Sequence, residues 1–147
     1  KPLSFYEDYS AFKIYMVDLG LLGAMAQTDP ADILTRNNGF MEYKGAFTEQ
    51  YVAQQIMAVA QKKLYYYSRD DSRLEIDFTY QANRVCAIEV RAKVNLRSKR
   101  LKSVLMDYSD VTGMRISMSG YRKEERLYNV PLYLVEPWFQ KLDAKGI

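Results

Sequence analysis

Two short runs hold the residues able to do chemistry: Leu74-Glu75-Ile76-Asp77-Phe78 and, a few residues on, Ile88-Glu89-Val90-Arg91-Ala92-Lys93. Each alternates apolar and charged side chains, the period-two signature of a strand with one buried face. In the second run Cys86, Ile88, Val90, Ala92 and Val94 fall on one face, and Val85, Ala87, Glu89, Arg91 and Lys93 on the other. In the first, Leu74, Ile76, Phe78 and Tyr80 share a face opposite Glu75, Asp77 and Thr79. If residues 81–83 turn the chain into a hairpin, Asp77 and Glu89 lie close together on one side. A hard cation such as Mg2+, for which Mn2+ substitutes, takes one or two such carboxylates and keeps waters for a substrate phosphate to replace. Bound there, it holds an attacking water or the charge that develops on phosphorus oxygens. Glu49, on a preceding helix, can add a ligand or orient a water. The same spacing suits plain cross-strand ion pairs, Glu75 or Asp77 with Arg91 or Lys93, worth ~0.2–1 kcal/mol each. Both readings stand at this level.

Absences narrow the chemistry. With no His, the commonest general base, the usual zinc ligand and any serine–histidine triad are gone. A single Cys, Cys86, excludes an intramolecular disulfide and a multi-thiolate cluster, and its place on an apolar face reads as core. No glycine-rich phosphate loop of the Gly-x-x-x-x-Gly-Lys type occurs, so this stretch has no such ATP site. What remains is carboxylates, Lys, Arg, Tyr and a hard metal ion.

Net charge is only +3, but its distribution is uneven. Seven basic residues (Arg84, Arg91, Lys93, Arg97, Lys99, Arg100, Lys102) stand against one acid, Glu89, between Arg84 and Lys102. Such a segment suits a polyanion, with Arg97, Lys99, Arg100 and Lys102 as contacts to DNA or RNA; a solvated helix face has the same composition. Tyr65-Tyr66-Tyr67 can stack bases or cover a sheet face.

At 147 residues, 48% hydrophobic and rich in Tyr, the chain suffices for one domain with a real core. Residues 1–8 read as extended and 12–18 as a strand or short buried turn, followed by a helix over 19–26. A helix opened near Asp29-Pro30 is broken by Asn37-Asn38-Gly39. Apolar positions Phe47, Tyr51, Val52, Ile56 and Val59 predict a helix over 44–62. Strands follow at 64–67, 74–80 and 84–94, a helix capped by Ser98 to about 110, strands at 114–118 and 130–135, and a last helix over 138–144. The expectation is one α/β domain, a mixed sheet flanked by helices in the order helix, three strands, helix, strand. Residues 1–40 form an N-terminal extension packed on a core of 41–147. The apolar stretch from Phe12 to Met25, interrupted by Lys13 and Asp18, is too short to span a bilayer. No secretory signal and no disulfide pair fit a cytoplasmic protein without membrane contact.

Pro2-Leu3-Ser4, Phe12-Lys13-Ile14-Tyr15, Asp18-Leu19-Gly20-Leu21-Leu22 and Gly45-Ala46-Phe47-Thr48-Glu49-Gln50-Tyr51-Val52 occur in that order. Leu64-Tyr65-Tyr66, Glu75-Ile76-Asp77-Phe78, Ile88-Glu89-Val90-Arg91, residues 95–102 and Pro131-Leu132-Tyr133 continue it. The series resembles domain of unknown function 4143, at the C-terminal end of many prokaryotic AAA-type ATP-binding proteins, and through it the restriction-endonuclease-like PD-(D/E)XK superfamily. The resemblance implies a restriction-endonuclease-like core and a site of Glu49, Asp77, Glu89 and the residue two after Glu89, with Asp77 and Glu89 on Mg2+. That last position is usually Lys in the family pattern and is Arg91 here, with Lys93 one pleat further along. Arginine is effectively never deprotonated, so Arg91 can stabilise phosphate charge but not act as a base. Two functions follow as expectations: a Mg2+-dependent phosphodiesterase acting on nucleic acid, or a catalytically degenerate fold that binds nucleic acid or serves assembly. In both, the partner is an N-terminal ATPase domain of the same chain, of which Lys1–Ile147 is a C-terminal fragment.

Overall fold

The computed structural model describes residues 1–29, 31–32, 38–69, 74–92 and 98–145. Helix α1 spans Leu19–Met25 and α2 Asn38–Val59; strands β1 (Leu64–Ser68), β2 (Glu75–Gln81) and β3 (Val85–Arg91) follow. After them come α3 (Lys99–Asp107), β4 (Thr112–Ser117), β5 (Arg122–Glu124), β6 (Leu127–Pro131) and α4 (Val135–Lys145). The six strands make one mixed sheet in the order β1-β2-β3-β4-β6-β5. The first three run antiparallel, β3, β4 and β6 are parallel, and β5 closes the edge antiparallel. This is an α/β domain.

Two cores lie on opposite faces of the sheet. Val52, Ala53 and Ile56 of α2 and Val135, Phe139 and Leu142 of α4 pack on Phe78, Tyr80, Cys86, Ile88 and Ile116. On the other face Leu101, Val104 and Leu105 of α3 cover Leu74, Ile76, Ala87 and Leu127. The i, i+3, i+4 spacing of the α3 trio leaves Lys99, Arg100 and Lys102 exposed. Arg126 ties this layer together. Its Nη1 donates to the carbonyls of Tyr108, Ser109 and Val111 at 2.9–3.0 Å, and its Nη2 to Leu105 at 2.6 Å.

The face assignment of β3 holds: Cys86 and Ile88 enter one core, Val85 and Ala87 the other. That of β2 does not. Tyr65 pairs with Thr79 but Tyr67 with Ile76, so Asp77 and Phe78 together oppose the single residue Tyr66. This β-bulge reverses the alternation. Leu74 and Ile76 therefore face α3, whereas Phe78 and Tyr80 face α2.

Other differences are local. Helix α2 begins at Asn38, six residues before the expected start at 44; the end of the helix expected from Asp29-Pro30 falls on residues 33–37, outside the described residues. Leu3–Tyr6 is a short 3-10 helix, not extended chain. Residues 12–18 are neither strand nor buried turn, since Phe12, Ile14 and Val17 face solvent. Strand β5, short, charged and at the edge, is an element the hydrophobic pattern did not reveal. Ser98 precedes α3 as expected, but its hydroxyl makes no cap bond. It accepts instead from Nε of the fully buried Arg115, at 2.6 Å.

Candidate functional site

The bulge sets the site. Released from the regular ladder, Asp77 turns its carboxylate onto the third strand, where Oδ2 accepts the backbone N–H of Val90 at 2.7 Å. Glu89, the residue before Val90, is only 4% exposed. Arg91 Nη2 donates to its Oε1, while its Oε2 is buried with no hydrogen-bond partner. The Arg91 Nε is buried and unpartnered too. Buried polar atoms are nearly always satisfied, and an orphan carboxylate oxygen is costly to leave so.

Helix α2 brings Glu49 within electrostatic reach of Asp77. Its Oε1 accepts from the Tyr15 hydroxyl at 2.5 Å and lies 3.4 Å from Lys13 Nζ. That ammonium is also 2.6 Å from Glu75 Oε1 and 5.1 Å from the ring centre of Tyr66. Lys13 and Tyr15 belong to an N-terminal strap that crosses α2. The strap is held by side chains acting as a strand partner would: Gln50 accepts the Met16 N–H at 2.9 Å and donates to the Met16 carbonyl at 2.7 Å. Gln54 accepts the Leu19 N–H at 2.8 Å, and the Asp18 carboxylate caps α1 through Gly20 and Leu21. Replacing Gln50 by Leu is expected to cost about 1–3 kcal/mol and to speed hydrogen exchange of the strap amides. Unchanged protection at Tyr15 and Met16 would show that the strap is held by other contacts.

The electrostatics follow from this crowding. Burial lifts the Asp77 carboxyl to about 6; the Val90 N–H opposes the rise, and the charges of Glu49 and Glu89 add to it. Burial works against the Lys13 charge, but the bond to Glu75 and the charge of Glu49 outweigh it and raise its pKa. Burial, together with the Glu49 carboxylate, pushes the Tyr15 phenol well above its usual range, so it stays protonated and donates. The Cys86 thiol is raised to about 11 by burial and is a core side chain.

Asp77 lies within the electrostatic reach of both Glu49 and Glu89, but Glu89 and Arg91 share the strand face of Val85 and Ala87 on the α3 side of the sheet, whereas Glu49 belongs to α2 on the other side. Glu75 pairs with Lys13 and Arg91 with Glu89, so among the described residues Arg91 does not make the pairing with Glu75 or Asp77 that was the plainer account. Lys93 and Arg97 lie outside the described residues. Lys99, Arg100 and Lys102 are exposed on the outer face of α3. Tyr65 lies under Lys63, Tyr66 under Lys13, and Tyr67 meets Tyr108 edge-on, so the tyrosine run covers the sheet. Sequence reasoning missed Lys13, Tyr15 and Gln50. The available signal was the alternation of Phe12-Lys13-Ile14-Tyr15, whose polar members face inward.

Among the described residues no three His, Cys, Asp or Glu side chains are grouped to hold a metal ion. Two neighbouring carboxylates are present, Asp77 and Glu89, the latter with the orphan Oε2. Two carboxylate oxygens with water completing the shell is a set that Mg2+ accepts, so the residues fit that ion. Among the described residues no helix is long and apolar enough to cross a membrane. Compared with known proteins, residues 44–134 match a family model described as a domain of unknown function (DUF4143). No curated protein and no solved structure matches the chain.

Proposed function

Starting from the fact that the chain belongs to the DUF4143 family, we propose that this domain is a restriction-endonuclease-like (PD-(D/E)XK) module with a Mg2+-dependent phosphodiesterase site for nucleic acid. The observation that carries the reading is the buried, unpartnered Oε2 of Glu89 beside Asp77. The element order of α2, β1, β2, β3, α3 and β4 supports it as well. Asp77 and Glu89 would hold Mg2+, which when bound supplies charge to a phosphate oxygen and acidifies a water. The rest falls to the chain's own side chains. Arg91 orients Glu89 and keeps an unused Nε–H for a phosphate oxygen. A guanidinium moves no proton in catalysis, so its part is to hold charge against the phosphate. Glu49 fixes the Tyr15 hydroxyl and the Lys13 ammonium at the rim. Lys99, Arg100 and Lys102 meet the backbone of DNA or RNA from α3. Under this reading the domain is the cytoplasmic C-terminal part of a prokaryotic AAA-type ATP-binding protein. The outward Phe12, Ile14 and Val17 supply apolar surface toward the ATPase domain.

Calorimetric titration with Mn2+ tests the site without needing a substrate. One saturable site in the parent, lost in Asp77→Asn and in Glu89→Gln, is the expected result; equal binding in all three would remove this pair from the proposal. A second reading, a degenerate fold that binds nucleic acid without cutting it, is favoured by the ion pair in which Arg91 already occupies one Glu89 oxygen. It calls for nucleic-acid affinity that falls steeply with salt and is unchanged in Asp77→Asn.

A further inference from the structure

Beyond the carboxylate site, the α4 side of the sheet carries a second concavity. Tyr121, Lys123, Tyr128, Leu134, Trp138 and Lys141 line a cavity of about 470 Å³. Its wall is aromatic: Trp138 lies 5.6 Å from Tyr121 and 5.8 Å from Tyr128, ring centre to ring centre. Lys123 Nζ stands 5.3 Å over the Tyr128 ring. Among the described residues neither Lys123 nor Lys141 has a carboxylate within ion-pair distance, whereas the neighbouring Glu124 is taken by Arg122. The Trp138 indole N–H is buried and lacks an acceptor. Tyr121, by contrast, is 52% exposed, an open ring face at the mouth.

These features select a ligand. Ring faces call for a planar partner, and the two free ammonium groups for an anion close to it. A quaternary ammonium ligand would suit the rings but be repelled by the lysines.

We propose that this cavity is a nucleotide subsite, in which a nucleobase stacks on Tyr121 and Trp138 while its phosphate meets Lys123 and Lys141. The nucleotide comes from a single strand or is free in solution, and the subsite does not depend on metal at Asp77 and Glu89. It lies outside the basic segment that the charge distribution singled out, so it extends the nucleic-acid surface to a different part of the sheet.

Trp138 is the sole tryptophan of the chain, so its emission reports on this cavity alone. The test titrates the protein with a short single-stranded oligothymidine, with thymidine monophosphate, and with a polyglutamate peptide of similar charge. Saturable quenching by the oligonucleotide is expected, with affinity falling about tenfold in Tyr121→Ala. In the Lys123→Gln/Lys141→Gln double variant the salt dependence flattens. Asp77→Asn keeps the quenching, which separates this test from that of the carboxylate site. Equal quenching by the monophosphate assigns the subsite to free nucleotide; a clear preference for the oligonucleotide assigns it to a strand. Three results overturn the proposal: oligonucleotide binding seen by anisotropy with no change in Trp138 emission, quenching by polyglutamate as strong as by the oligonucleotide, or undiminished affinity in Tyr121→Ala. Since Tyr121 is half exposed, its truncation leaves the fold in place, and circular dichroism checks this.

Discussion

Asp77→Asn is expected to stabilise the metal-free protein by about 2–3 kcal/mol near pH 7.5, and to give almost no gain near pH 4. The Asp77 carboxyl has a folded-state pKa of about 6 against a model value of 3.8, because burial disfavours its charge. Between those two values the native state holds more protons than the unfolded one, so stability falls as pH rises through the window. Above it the full cost of a buried carboxylate is present; below 3.8 it is absent. Asparagine keeps an acceptor for the Val90 N–H and carries no charge. The melting temperature at neutral pH should therefore rise by roughly 5–10 °C, with the gain vanishing on acidification. A variant with the same small effect at both pH values would refute the idea that this carboxylate is held against its own preference. Adding Mn2+ should shrink the difference, since binding to the parent alone stabilises it by mass action.

The next residue along the bulge has the opposite expectation. Phe78 is 2% exposed and packs in the α2-side core with its ring 5.5 Å from that of Tyr15. Phe78→Ala should cost about 3–5 kcal/mol in urea unfolding, combining lost transfer energy with a cavity between α2, the sheet and the strap. Phe78→Leu, which refills most of the space, should cost well under half of that. A loss below ~1 kcal/mol in the alanine variant would mean that the site closes up around the gap. Two adjacent residues thus pull stability in opposite directions, one filling the core and the other burying a carboxylate against its preference.

How far the sequence was legible depends on local register. The alternation of Val85 to Arg91 is uninterrupted in the structure, and both faces of β3 were assigned correctly from it. In β2 the same reasoning failed after Ile76, because the bulge at Asp77-Phe78 is marked by no Gly or Pro. The extra residue shows only in what β2 pairs with, which is tertiary information. Glu49, Asp77 and Glu89 were singled out all the same, since carboxylates at a helix and two strands are conspicuous by type. Lys13 and Gln50 were not, because their role is to join segments 34 to 36 residues apart through side chains, and no periodicity encodes that. Arg115, between Met114 and Ile116 in β4, is 1% exposed, which the alternation of the strand does not reveal.

The guanidinium of Arg126 makes the order of synthesis matter. The carbonyls at and just beyond the end of α3 gain their partner only when a residue 15 to 21 positions later has been added and has reached its place beside β4. Until then the helix end is an unfinished joint, solvated rather than closed. Helix α3, strand β4 and the edge hairpin are consequently one cooperative block that gains and loses structure together. The basic face of α3 is therefore anchored from the far edge of the sheet, not only by its own apolar side.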